Sequence, residues 1–264
     1  MDNKKFHNNL IVSTSPHIVT DEDTTKLMGT VLLAMLPALV ASTYIFGARV
    51  LLLAAVCIVA SVGFEWIYNM LAKKPQTISD LSAAVTGLLI AFNVPSSFPL
   101  WMAVIGCFVA IVVIKQLYGG IGRNFVNPAI TARIFLFISF AAQMTTWPLP
   151  RMAAKTDAVT GPTPLALVAG GASKADLPSN MDMFLGFTGG SLGEVSALAL
   201  LVGGLFLIWR KVISPAIPCA FLGTIFVIAL AYYKGDFNMA IFHLCAGGAM
   251  LGAFFMATDY VTSP

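Results

Sequence analysis

The chain is dominated by apolar runs about as long as a membrane is thick. A helix needs about 20 mostly apolar residues, within a range near 17–25, to cross the hydrocarbon core of a bilayer. Eight runs meet that length, at residues 28–45, 50–71, 78–94, 100–117, 130–147, 192–209, 212–233 and 239–257. Lipid offers no water to backbone N–H and C=O groups, so a crossing segment has to satisfy its own hydrogen bonds, and a helix does so. The expected fold is therefore an all-α polytopic membrane protein of about eight transmembrane helices. Charge supports this: only 10% of residues are charged and 58% are hydrophobic, where a soluble domain carries about 25% charged residues.

The formal net charge is +3. The basic residues form no cluster of the kind nucleic acid requires, and no nucleic-acid partner is expected. They serve instead as markers of orientation. With the N-terminus in the cytoplasm, Lys4, Lys5, Lys26, Lys73, Lys74, Lys115, Arg123, Arg133, Arg210 and Lys211 fall on the inner side. Arg49, Arg151, Lys155, Lys174 and Lys234 fall outside, three of them in one long loop where charge counts less. The bias predicts a multi-pass protein of the inner, cytoplasmic membrane. The first 26 residues are polar and mixed in charge, with no apolar stretch behind the early lysines, so no cleavable signal is expected. Cys57, Cys107, Cys219 and Cys245 each sit alone in an apolar run and read as small buried hydrophobes.

Four segments follow. Residues 1–27 form a cytoplasmic N-terminal segment, and residues 28–147 a first transmembrane unit of about five helices. Residues 148–191 form an outer loop rich in Pro, Gly, Ser and Thr, and residues 192–264 a second unit of about three helices. The stretch DLSAAVTGLLIAF at 80–92 resembles HLCAGGAMLGAFF at 243–255, at nearly the offset that separates the first run from the sixth. An odd number of spans per unit inverts the second copy, a plan common among transport-type folds. A 5+5 inverted repeat implies ten spans, so either the last two helices are missing from this chain or the protein is naturally short.

Three stretches carry chemistry. Asp157-Ala158-Val159-Thr160-Gly161-Pro162-Thr163 lies in the outer loop; read alone, Asp157 and Thr160 form a polar turn. Residues 119–129, GGIGRNFVNPA, join the fourth and fifth runs at the inner side. Their glycines suit either a phosphate cradle or a tight membrane re-entry. Asn127-Pro128 suits a helix cap with proline in the first turn. The third stretch, MATDYVTSP at 256–264, closes the chain.

Together these stretches, with the hydropathy profile and the loop position, resemble the D subunits of the Rnf ion-translocating ferredoxin:NAD oxidoreductase. They also resemble the related B subunits of the sodium-pumping NADH:quinone reductase. The match covers essentially the whole chain, and the short N-terminal region favours the Rnf branch. In that family the last threonine of Asp-x-x-(Ser/Thr)-Gly-x-Thr carries FMN through a phosphoester bond. The resemblance thus implies covalent FMN on Thr163, with Asp157, Thr160 and Gly161 recognised by a separate flavin transferase. A threonine hydroxyl needs an activating group to act as a nucleophile, which suits an external enzyme and an exposed loop. Pro164 pushes Thr163 toward an extended backbone. The resemblance also implies a second, non-covalent flavin, riboflavin in the related reductase, and Gly120, Gly122, Asn124 and Asn127 are its candidate residues. Implied partners are membrane lipid and the other subunits of the complex, including a second covalent-FMN subunit and iron–sulfur subunits. The implied function is electron transfer within a complex that couples ferredoxin:NAD electron flow to Na+ or H+ movement.

Ionisable residues at membrane depth are functional suspects. Glu65, Asp80, Arg133, Glu194, His243 and Asp259 are such residues, and capping or snorkelling is the plainer account of most. Glu65 lies deepest and is the ion-path candidate. A rival from another class is a secondary transporter or channel built on inverted repeats and holding no flavin.

Overall fold

The computed structural model describes residues 23–150, 160–194 and 196–259. Helix α1, Thr24–Phe46, starts where the Asp23 carboxylate accepts the Thr24 N–H at 2.8 Å and stops at Gly47 with φ 96. Helix α2, Arg49–Leu71, follows almost at once. Helix α3 is only Ser82–Phe92. It begins behind Leu81, held left-handed at φ 60, with its first N–H taken by the Asp80 carboxylate at 2.8 Å. Helix α4, Leu100–Phe108, winds on without interruption as a π-helix through Val109–Gln116.

Helix α5 is Pro128–Ser139, with one further turn at Ala141–Met144. The loop region carries two short helices, α6 at Pro164–Ala169 and α7 at Asn180–Leu185. Helices α8, Ala197–Trp209, and α9, Ala216–Tyr232, come next. Helix α10, Phe237–Cys245, is followed across Ala246-Gly247-Gly248 by α11, Ala249–Leu251, which continues as a π-helix over Gly252–Met256. The two halves are bent by 66°. Among the described residues the only β pairing is a single bridge, Pro148 with Thr160.

Each of the eight apolar runs thus carries helix, and the expectation of eight full spans is met in part. Among the described residues, α1 and α2 are long and apolar enough to cross a membrane, and α10 with α11 adds a third if counted as one bent span. Specific residues shorten α3 and α8. Asp80 and Leu81 fix the start of α3. Residues 192 and 193, instead of extending α8 backwards, donate their N–H groups to the Val94 and Phe92 carbonyls at 3.2 and 2.9 Å. These bonds satisfy the carbonyls that a short helix leaves open at its end.

Helix α3 is buried along its whole length and forms the centre of the bundle. Small residues let its neighbours approach closely. A Cβ on Gly87 would lie 2.7 Å from the Cys57 carbonyl of α2, and one on Gly203 of α8 would lie 2.1 Å from the Ala34 carbonyl of α1. Large apolar side chains such as Val40, Val59, Ile138, Trp209 and Tyr232 lie exposed on the outside of the bundle, as a lipid-facing surface requires.

Candidate functional site: two cavities and two ion pairs

The loop motif is anchored at its start. The Gly161 N–H donates to the Trp147 carbonyl at 3.0 Å, beside the Pro148–Thr160 bridge. A Cβ at Gly161 would press within 3.0 Å of Leu149. Thr163 is extended, φ −71 and ψ 158, as the following proline demands. Its hydroxyl oxygen accepts the Ala166 N–H at 3.2 Å and so caps α6. Asp157 lies outside the described residues. Thr163 lines a cavity of about 550 Å³, open mouth included, together with Arg133, Trp147, Thr188, Glu194 and Gly247.

An ion pair faces this cavity. Arg133 Nη1 donates to Glu194 Oε1 at 2.8 Å and to Asn93 Oδ1 at 2.9 Å. The arginine side chain is 33% exposed and the glutamate side chain 9%. Asn93 is itself fixed through its amide N–H to the Leu89 carbonyl at 2.7 Å. Arg133 comes from α5, Asn93 from the end of α3 and Glu194 from the strap before α8, so three separate parts of the chain meet here. The break between α10 and α11 closes the side: a Cβ on Gly248 would lie 3.2 Å from Glu194 Oε1.

The second cavity lies at the other ends of α3 and α11. It holds about 720 Å³, mouth included, and is lined by Ser82, Lys115, Asn124, Asn127, Phe254 and Asp259 among others. Asn127 caps α5 as the sequence predicts, its Oδ1 accepting the Ala129 and Ile130 N–H groups at 3.0 and 3.2 Å. Its amide N–H donates to Asp259 Oδ2 at 3.2 Å, which joins the second sequence motif to the third. Asn124 Oδ1 is buried without a hydrogen-bond partner among the described residues. The glycines behave differently from the asparagines. Gly119 and Gly120 donate their N–H groups to the Gln116 and Lys115 carbonyls at 3.2 and 3.0 Å, which ends the π-helix. Gly120 and Gly122 do not line the cavity, so the cradle reading has no free N–H at Gly120.

Behind this cavity lies a second ion pair. Lys115 Nζ is 3.1 Å from both carboxylate oxygens of Glu65 and 2.5 Å from Ser82 Oγ. Thr77 Oγ1 and Gln116 Nε2 also donate to Glu65 Oε1, at 2.7 and 2.8 Å. Ser82 Oγ passes the chain on to Asp80 Oδ1 at 2.5 Å. Glu65 and Lys115 are 1% and 2% exposed. Lys115 and Arg133, counted above as flanking charges, are therefore turned inward. Each sits within an apolar run, as Glu65 does, and an ionisable residue at membrane depth was the available signal; which charge meets which was not readable, because the partners lie 50 and 61 residues away in sequence. His243 is a packing residue, stacked on Tyr233 and 3.1 Å from its hydroxyl. Among the described residues no three His, Cys, Asp or Glu side chains are placed to hold a metal ion.

The model of the NQR2, RnfD, RnfE family matches residues 11–264. The chain is 47% identical over 258 residues to the D subunit of the Na+-translocating ferredoxin:NAD+ oxidoreductase complex of Acetobacterium woodii, covering 97% of this chain and 79% of that protein. It is 40% identical over 266 residues to the D subunit of the proton-translocating ferredoxin:NAD+ oxidoreductase complex of Clostridium ljungdahlii, covering 96% and 79%. Identity to the D subunit of the ion-translocating oxidoreductase complex of Rhodobacter capsulatus is 37% over 279 residues, covering 94% and 78%.

Proposed function

The chain belongs to the NQR2, RnfD, RnfE family, and from that premise we propose that it is a membrane electron-transfer subunit that carries FMN as a phosphoester on Thr163. Its setting is a complex coupling ferredoxin:NAD+ electron transfer to Na+ or H+ movement across the inner membrane. The N-terminus is cytoplasmic and the flavin loop faces outward, as the distribution of lysine and arginine suggests. The partners are the other subunits of that complex, among them a second flavoprotein subunit that donates electrons to the loop.

The observation that carries this reading is the placement of Thr163 on the wall of a cavity whose lining suits a flavin. Trp147 supplies an aromatic side chain, Gly189 and Gly190 expose backbone with no side chain in the way, and Arg133 and Glu194 supply charge. The bound group supplies the ability to hold one or two electrons; the protein supplies position and electrostatics. The threonine hydroxyl accepts one hydrogen bond and donates none among the described residues, so its O–H is available for modification. The second cavity is the candidate place for a non-covalent flavin: Asn124 Oδ1, without a partner among the described residues, calls for a donor, and Asn127 beside it is held in place by Asp259. Glu65 is the ion-path candidate, and an ion that reaches it has to displace the Lys115 ammonium.

The transporter reading draws on the half-length α3 and the bend between α10 and α11, because broken helices are common in transporters. One experiment separates the two. The complex is produced with a flavin transferase, its subunits are separated on a denaturing gel, and the peptide spanning 151–174 is weighed. The flavin reading expects a fluorescent band and an FMN-bearing peptide, both lost in Thr163→Ala. An unmodified peptide from an active complex overturns it.

A further inference from the structure

We propose that Arg133 and Glu194 together hold the imide edge of the flavin ring tethered to Thr163 and set its reduction potential, an inference that rests on the FMN reading above. Unused hydrogen-bonding capacity marks the pair. A guanidinium has five N–H donors, yet within the described residues only Nη1 is engaged. Of the Glu194 carboxylate only Oε1 is engaged. Glu194 is more than nine-tenths buried while Arg133 is a third exposed, and both line the Thr163 cavity. A charge pair taken out of water is favourable only when its remaining donors and acceptors are satisfied. Here free donors stand beside a free acceptor at one cavity wall.

The edge of a flavin ring that carries its imide presents a carbonyl, an N–H and a second carbonyl in a row. An arginine donor next to a carboxylate acceptor complements a carbonyl next to an N–H. The ring, and not the phosphate, is the part expected at this wall. Leu165, two residues beyond Thr163, would meet a Cβ on Gly247 at 2.8 Å, and Gly248 is the residue that lies against Glu194. The threonine's helix and the ion pair therefore both border the α10–α11 break, and the ribityl chain carries the ring away from the tethered phosphate. Uptake of two electrons and one proton leaves one extra negative charge on the ring. Arg133 stabilises that charge and Glu194 opposes it.

Opposite signs make the test. In the flavinylated complex, with the Thr163 flavin resolved by comparison with Thr163→Ala, Arg133→Met is expected to lower the midpoint potential. The expected change is at least tenfold in the relative affinity for the reduced ring, about 30 mV for a two-electron couple. Glu194→Gln is expected to raise it by a similar amount. A merely structural role shifts yield or melting temperature without that pair of opposite shifts. Attachment, read by mass, is scored first. A wild-type complex with no flavin on Thr163 overturns the FMN reading and this inference with it. A fully flavinylated complex whose potential is unmoved by both substitutions overturns this inference alone. If Arg133→Met does not assemble, Glu194→Gln, which preserves size and a hydrogen bond to Arg133, decides by itself, and no rise overturns the proposal.

Discussion

The two ion pairs are built from the same chemistry and finished differently. Around Glu65 and Lys115 the network is closed: both carboxylate oxygens face the ammonium, Thr77 and Gln116 add donors, and Ser82 takes a further ammonium N–H. Arg133 and Glu194 leave donors and an acceptor unused and open onto a cavity. A fully satisfied buried network rigidifies the helices it joins, here α2, α3 and the π-wound end of α4. The open pair holds three chain segments together too, but it retains capacity for a further partner. Unused donors and acceptors, rather than a position beside a cavity, distinguish the Arg133–Glu194 pair, since Lys115 and Ser82 line a cavity too.

The largest expected effect tests the closed side. Lys115→Met strands the Glu65 carboxylate and is expected to cost about 3–5 kcal/mol of stability, read by unfolding in detergent. The double variant Lys115→Met with Glu65→Leu is expected to recover most of that loss, since an apolar pair replaces a buried ionic one at little cost. Arg133→Met is expected to cost less, because Glu194 keeps contact with the cavity. Equal losses at the two lysine and arginine positions would erase the contrast. Next in size, Asn127→Ala removes the α5 cap, worth about 1 kcal/mol, and takes the amide donor away from Asp259 on the second cavity. The same unfolding assay should show this loss, and Asp259→Asn should lose less.

The smallest effect lies outside both cavities, at the pair Lys174–Asp236, which ties the loop turn Lys174–Asp176 to the start of α10. The Lys174 ammonium, with the Met239 N–H, holds the Asp236 carboxyl below its ordinary value. A depressed folded value means that this contribution is present above the ordinary value and disappears as pH falls through the folded one. Wild type and Lys174→Ala should therefore differ slightly at neutral pH and converge as the pH drops below 3.8. A gap that persists in acid would show that Lys174 acts through something other than Asp236.

What could be read from the sequence, and what could not, divides along the same contrast. Helix at each apolar run, the cap at Asn127-Pro128 and the extended Thr163 before Pro164 are local matters, and periodic hydropathy with cap and proline chemistry carries them. Helix length was harder. The third run reads as apolar from 78 to 94, yet Asp80 captures the Ser82 N–H and α3 starts late. The Gly247-Gly248 break sat in plain view as a diglycine, but its neighbour Glu194 lies far away in sequence. Pairing was not legible at all. Counting charges by distance from the end of an apolar run assigns Lys115 and Arg133 to the flanks, because such a count has no means of seeing that a long side chain turns inward to a carboxylate far away in sequence.

The close contact between α1 and α8 has a mechanical consequence. At Gly203 one backbone rests on another with no side chain between them, and Gly204 takes the ring of Phe254 just as tightly. A seam of that kind has no slack, so the segments before and after the loop cannot slide past each other without opening it.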